Sequence, residues 1–242
     1  MVEQPHFPAP PLKISIIVPA FNEEKLLATT LACIREGAAG MDAELIVCDN
    51  NSTDRTAEIA RQAGAKVVFE PMNQISRARN AGAAAASGDW LVFIDADSFP
   101  DRALFADLAE AIASGRYVGG GSTVRFDDAD RLAMGAVAVW NAISRAMRWA
   151  AGSFVFCEAA AFRRLGGFST ELYASEEIDF SRRLKRLGRL AILHRHALRT
   201  SGRKVRLYSK REYFWLLARI VLTGGRALRK RDECFAWYDG RR

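Results

Sequence analysis

WLVFIDADSFPD, residues 90–101, runs from Trp90 through four apolar residues, Leu91 to Ile94, straight into Asp95, Ala96 and Asp97, with a proline at position 100. An unbroken apolar run of this length reads as a buried strand. Ending such a strand in two carboxylates is costly unless something cationic meets them. Asp95 and Asp97 are two apart, so on extended backbone they point the same way. Their mutual repulsion raises both pKa values unless a divalent cation holds both ionised. The plainer alternative makes Asp95 a turn residue and Asp97 a helix cap.

Outward from this run the same rhythm repeats. KISIIVPAF (13–21), AELIVCDN (43–50) and AKVVFE (65–70) read as further strands. EEKLLATTLACIREG (23–37), STDRTAEIARQAG (52–64) and SRARNAGAAAASG (76–88) read as the helices between them. Ser52, Thr53 or Asp54 can cap the second helix, and a glycine stops each of the first two. Strands alternating with helices of this length imply right-handed βαβ units and a mostly parallel sheet. Ligands of such sheets sit beyond the carboxyl ends of the strands, which places Asn22, Glu23, Asp49, Asn50, Asn51, Asp95 and Asp97 along one rim.

After residue 100 the rhythm changes. A helix over 101–115, a glycine-loosened strand over 117–126 and a long apolar-faced helix over 129–150 are followed by a strand and short helix. A helix with an acidic start follows from 175, then a strand with a basic loop, and a basic amphipathic helix over 209–230. Residues 1–12 read as a flexible lead-in without the features of a signal peptide. Residues 13–207 read as one α/β domain, with a ligand-binding half (13–100) and a second half (101–207), and 208–242 as a basic appendage.

The chain has 242 residues, half of them hydrophobic, enough for one sizeable core. The net charge of +7 hides an asymmetry. Residues 182–242 carry 19 Lys and Arg against 4 Asp and Glu, and residues 1–181 carry 16 against 24. The four cysteines match no metal-ligand spacing and read as reduced thiols of a cytoplasmic protein. The most apolar window, YFWLLARIVL (213–222), is interrupted by Arg219 and is too short to span a bilayer. Its flanking basic residues suit either an anionic leaflet or simple packing on the domain.

Asp49 ends the second strand ahead of Asn50 and Asn51, residues that tolerate left-handed turns. Arg77 and Arg79 sit at a helix start, where the dipole favours anions, so they point to an anionic ligand or to a solvated basic face. Glu176 and Glu177 begin another helix, as an acid–base pair or as plain complements of its dipole. His194 and His196 share a face, and His196 is a candidate metal ligand. Arg203 and Lys204 could clamp phosphate. Trp140 and Trp149 lie on the long helix at core spacing, with stacking on a sugar or lipid as the alternative.

SIIVPAFNEE, VCDNNSTDRT, SRARNAG, FIDADS and GGF with SEEIDFSRRLKRLG, in this order and spacing, resemble the family 2 glycosyltransferases of the GT-A fold. The resemblance covers residues 13 to about 190. It implies a GT-A-like, Rossmann-type α/β sheet flanked by helices, and transfer of a sugar with inversion from a UDP- or GDP-linked donor to a saccharide or lipid-linked hydroxyl. By position, Asp49 would hold the base, with Pro19, Phe21 and Glu23 lining the same pocket, and Asn51 belongs to the same nucleotide-sugar site. Asp95 and Ala96 would meet the donor, Asp97 and Asp95 a Mg²⁺ or Mn²⁺, and Arg77 and Arg79 the diphosphate. His196 as a metal ligand and Arg203 and Lys204 as a diphosphate clamp lie beyond the resembling stretch and rest on their side-chain chemistry alone. The family usually carries Glu-Asp where this chain has Glu176-Glu177, so Glu177 is the base by position and the choice between the two stays open.

A nucleotidyltransferase is the enzyme rival, but PAFNEE is neither glycine-rich nor basic enough to grip a triphosphate. A basic nucleic-acid-binding module is the non-enzymatic rival, and the acidic rim speaks against it. The expected partners are therefore a nucleotide-sugar, an acceptor and an anionic membrane surface on the cytoplasmic side, with no nucleic acid.

Overall fold

The computed structural model describes residues 12–127 and 131–203 and, beyond them, 212, 215, 219, 222, 223, 225–234 and 238. The basic helix expected over 209–230 and the lead-in fall mainly outside these residues. Strands β1 (Ile14–Ala20), β2 (Ala43–Asp49), β3 (Lys66–Phe69) and β4 (Trp90–Ile94) alternate with helices α1 (Leu27–Gly37), α2 (Thr56–Gln62) and α3 (Ile75–Ala84). Then come β5 (Ser98–Phe99), α4 (Arg102–Ala113), β6 (Gly119–Phe126), α5 (Arg131–Met147), β7 (Phe154–Glu158), α6 (Ala159–Leu165), α7 (Glu176–Leu184) and β8 (Leu190–Thr200).

Eight strands form one mixed sheet in the order β3-β2-β1-β4-β7-β6-β8-β5. The first four are parallel, as the βαβ pattern predicts, with Ala20 opposite Asp49 and Ile17 opposite Phe93. The second half departs from that pattern. β7 runs antiparallel to both β4 and β6, and β5 antiparallel to β8. β1 and β4 are buried along their whole length, which explains why neither alternates polar and apolar residues.

Several elements are shorter than their patterns because side chains claim the ends. Ser52 N–H donates to Asp49, and Thr56 donates to Asp54 from both its amide and its hydroxyl, so residues 50–55 form a turn and α2 begins late. β4 stops at Ile94. Ser98 N–H then bonds the Asp95 carbonyl at 3.1 Å, so the Asp-Ala-Asp segment is a turn and not extended strand.

The GGF motif has a packing explanation. Gly166 and Gly167 have φ of +71° and +75°, a left-handed pair that delivers Phe168 into a ring cluster with Phe93, Phe162 and Phe180. Asn80 locks the turn, accepting from Phe168 N–H and donating to its carbonyl, both at 2.9 Å. A Cβ at Gly167 would stand 2.6 Å from Asn80 Oδ1, whereas one at Gly166 meets nothing within 4 Å. Gly167→Ala should therefore cost about 2–3 kcal/mol and Gly166→Ala about 1 kcal/mol, the backbone cost alone. Denaturant unfolding that ranks the two variants equally would refute the clash.

Candidate active site

The carboxyl ends of β1, β2 and β4 open onto a cleft. Pro19, Ala20, Phe21, Glu23, Asn50, Asn73, Ile75, Asp95, Ala96, Asp97 and Tyr238 line it. Seven of these, Pro19, Phe21, Glu23, Asn50, Asp95, Ala96 and Asp97, are expected from the sequence. Asp49 lies just beneath, buried, accepting from Ser52 N–H at 3.0 Å. Asn51 is exposed with φ of +66°, the left-handed turn anticipated for it.

Two arginines, one buried and one half-buried, neutralise the carboxylates that end β4. Arg79 is 1% exposed. Its Nη2 donates to Asp95 Oδ1 at 2.9 Å and to the Gly152 carbonyl at 2.7 Å, and its Nη1 to Glu176 Oε1 at 2.6 Å. Phe168 covers it, with the guanidinium carbon 5.3 Å from the ring centre. Burial alone would lower its pKa, but Asp95, Glu176 and Glu177 outweigh that and hold it above its ordinary value. This corrects the expectation that Arg79 faces a diphosphate, because both arms are occupied inside the protein. Arg77 is half-buried and donates from Nε to Gln74 at 3.0 Å.

Arg203 is the second cation. Its Nη2 donates to both oxygens of Glu23, at 2.7 and 2.9 Å, and lies 3.7 Å from Asp97 Oδ2. It thus ties the end of β8 to the loop after β1. Its Nε is buried without a hydrogen-bond partner. Lys204 lies outside the described residues.

Glu176 and Glu177 start α7, behind Ser175 at φ +60°. They share the helix start but not the environment. Glu176 is 2% exposed and spans to Arg79. Glu177 is half-buried, and a Cβ placed on Gly152 would stand 3.4 Å from its Cδ. Burial, with Glu176 beside it, pushes the Glu177 carboxyl up to about 8, against the opposing pull of Arg79.

His196 does not join the aspartates. Its Nδ1 lies 3.1 Å from Asp107 of α4, and β8 carries it four residues, roughly 13 Å, from Thr200, the partner of Ser98. His194 faces the Ile192 carbonyl at 3.0 Å. The alternation of β8 does bring one histidine to a carboxylate, but to the wrong one for a shared metal site.

Asn50 stands on the rim where the sequence places it, whereas Asn73 and Tyr238 escape sequence reading. Asn50, 4% exposed, donates to the Glu70 and Met72 carbonyls at 3.1 and 2.6 Å and accepts from Gln74 N–H at 2.9 Å, shaping the loop before α3. Its place in the Asp-Asn-Asn run was the available signal. Asn73 and Tyr238 carry none. Tyr238 accepts from Ile75 N–H at 3.3 Å, capping α3 from 163 positions away.

Comparison with known proteins agrees with this architecture. An uncharacterised glycosyltransferase of Mycobacterium tuberculosis H37Rv is 38% identical over 100 residues, which are 41% of this chain and 42% of that protein. The chain thus matches less than half the length of that relative. Among solved structures, TarS 1–349 of S. aureus in complex with UDP-GlcNAc is similar at a TM-score of 0.64 and 20% identity, covering 78% of this chain and 58% of that one. The mannosyltransferase PcManGT of Pyrobaculum calidifontis, in complex with GDP-Man and Mn²⁺, gives 0.64 and 23%, covering 86% and 61%. The sequence pattern of Glycosyl transferase family 2 runs through residues 15–165, from β1 to the end of α6, and on that match over more than half its length the chain belongs to this family.

Proposed function

We infer that the chain transfers a sugar from a nucleotide-sugar to an acceptor hydroxyl, with inversion. The observation that carries this reading is Arg79, which joins Asp95 on the cleft side to Glu176 on the far side and leaves Glu177 beside them with a raised pKa. A donor site and a proton acceptor then belong to one site. Similarity to proteins solved with UDP-GlcNAc and GDP-Man supports a nucleotide-linked donor.

The residues present suit a hard divalent ion. Asp95 and Asp97 both line the cleft and offer it two carboxylates. That is the donor set of a Mg²⁺ or Mn²⁺ held by one or two carboxylates together with substrate phosphate and water. When bound there by Asp95 and Asp97, the ion supplies neutralisation of charge on the leaving diphosphate.

The chain's own residues do the rest. Asp49, Asn51 and the 19–23 segment hold the base. Arg203 fixes Glu23 and stands behind Asp97, so the metal-holding carboxylate keeps its position in a partly dry site. Glu177 takes the acceptor proton, and its pKa near neutrality matches that task. Glu176, held by Arg79, orients the helix start rather than the proton.

A thermal-shift panel tests the donor half. At about 100 times Kd, the matching nucleotide-sugar with Mn²⁺ should stabilise by about 2.7 kcal/mol, or roughly 5–10 °C in Tm. EDTA or Asp97→Ala should remove most of that shift and the transfer activity, with the Tm of the free chain kept near that of the parent. Full activity in EDTA would sink the metal role, and no shift with any nucleotide-sugar would sink the donor.

A further inference from the structure

α5 is not built like a core helix. Among its described side chains, Ala133, Val137, Trp140, Asn141 and Ser144 turn inward, and Asn141 clips the helix to β6 through Val124, accepting from its N–H at 3.0 Å and donating to its carbonyl at 2.8 Å. The outer arc holds Met134 at 54% exposure, Val139 at 61%, Ile143 at 40% and Met147 at 47%, with exposed alanines and a glycine between them. From Met134 to Ile143 no exposed side chain on this helix is polar. Soluble surfaces rarely carry a continuous apolar face of this kind without a use for it.

The carboxyl end of the same helix is cationic. Arg145 and Arg148 are exposed there, and Arg182 and Lys185 of the neighbouring α7 segment bracket Trp149, their charged groups 4.9 and 6.0 Å from its ring. Among the described residues no carboxylate pairs with any of these four cations. Burial and the nearby Arg148 and Arg182 hold the Lys185 ammonium below its ordinary pKa, so the charges crowd one another. An apolar stripe ending in an indole flanked by cations that no described carboxylate neutralises, Lys185 donating to the Met147 carbonyl, matches an anionic lipid interface, with apolar side chains among acyl chains and cations among headgroups.

We propose that α5, with the Arg145, Arg148, Arg182 and Lys185 collar, docks the protein on an anionic membrane surface. The chain's own apolar run 213–222 is a poorer occupant, because Lys210, Arg211 and Arg219 would add positive charge to a face that already repels it. A second copy is poorer too: two helices of 17 residues, about 25 Å long, bury less than the roughly 1,200 Å² a stable pair needs. Docking also orients the site. The segment leaving α5 reaches Gly152, whose carbonyl holds Arg79 and which lies against Glu177. On the reading of Glu177 as the base, the acceptor it serves is amphiphilic, with its hydroxyl near the headgroups.

Sedimentation of the full chain with vesicles of phosphatidylcholine, alone or with about one-third phosphatidylglycerol, tests the docking without any turnover. At least tenfold stronger partitioning to the anionic vesicles is expected. Val139→Asp with Ile143→Asp should lose at least tenfold, and Arg145→Glu with Arg148→Glu should erase the preference for anionic lipid. Both variants should keep the parent Tm, since these side chains face outward. Equal partitioning to both vesicles, or undiminished binding by the Val139/Ile143 variant, overturns the proposal. So does a dimer by light scattering that this variant splits while neither protein binds vesicles. Donor binding in the thermal-shift panel survives any of these results, so failure of docking and failure of the transferase reading are told apart.

Discussion

Glu177→Gln should lower turnover by about 10²- to 10⁴-fold, the usual contribution of a positioned base, with the nucleotide-sugar thermal shift intact. The same substitution should raise stability in alkaline buffer. The Glu177 carboxyl titrates near 8 in the fold and near about 4.3 in an unfolded chain. Between those values the folded state holds a proton that the unfolded state has released, so the parent loses stability as pH rises through this window. Glutamine has nothing to release. The variant's advantage should therefore be negligible below about pH 4 and grow to roughly 3–6 °C in Tm above pH 8, on the order of 1–2 kcal/mol. Loss of activity without this pH-dependent gain would mean that Glu177 is not the buried, proton-retaining group. If Glu176→Gln alone abolishes turnover and Glu177→Gln does not, the base is one residue earlier.

Arg79→Met should be the most damaging single change in the protein. It leaves the Asp95 and Glu176 carboxylates, and the Gly152 carbonyl, without their donor in a site closed by Phe168. Breaking one side of a buried charge network costs about 3–5 kcal/mol, or roughly 6–20 °C in Tm. Arg79→Lys should fare little better, because one ammonium lacks the fork that reaches three acceptors at once. The control is a triple variant that adds Asp95→Asn and Glu176→Gln to Arg79→Met. It should recover much of the lost stability while staying inactive, since the unpaired charges go but the cleft carboxylate goes with them. A single Arg79→Met variant that melts with the parent would show that the bridge is not closed.

The two carboxylates that end β4 show how far sequence reading reaches. Their cost at the end of a buried run is visible in WLVFIDAD, and so is the need for a cation. Arg79 and Arg203 are both visible as candidates, yet their roles are assigned by contacts across 16, 97 and 180 positions of chain, which no local pattern encodes. The histidines show the same limit. Their shared face on β8 follows from a period of two, but the carboxylate opposite them is set by how α4 packs on that strand, and it is Asp107.

By itself the sequence determined the alternation of strands and helices through β4 and the rim that collects Glu23, Asp49, Asp95 and Asp97. Those depend on periods of 2 and 3.6, turn residues and backbone freedom, all of which act within a few residues. Only the tertiary structure decided that β7 inserts antiparallel between β4 and β6, that Arg79 is a buried strut, that Glu176 is held by it while Glu177 beside it has a raised pKa, and that the apolar face of α5 points outward. Each of these is a choice between partners that the chain offers equally, and desolvation in the packed fold makes one of them far cheaper than the rest.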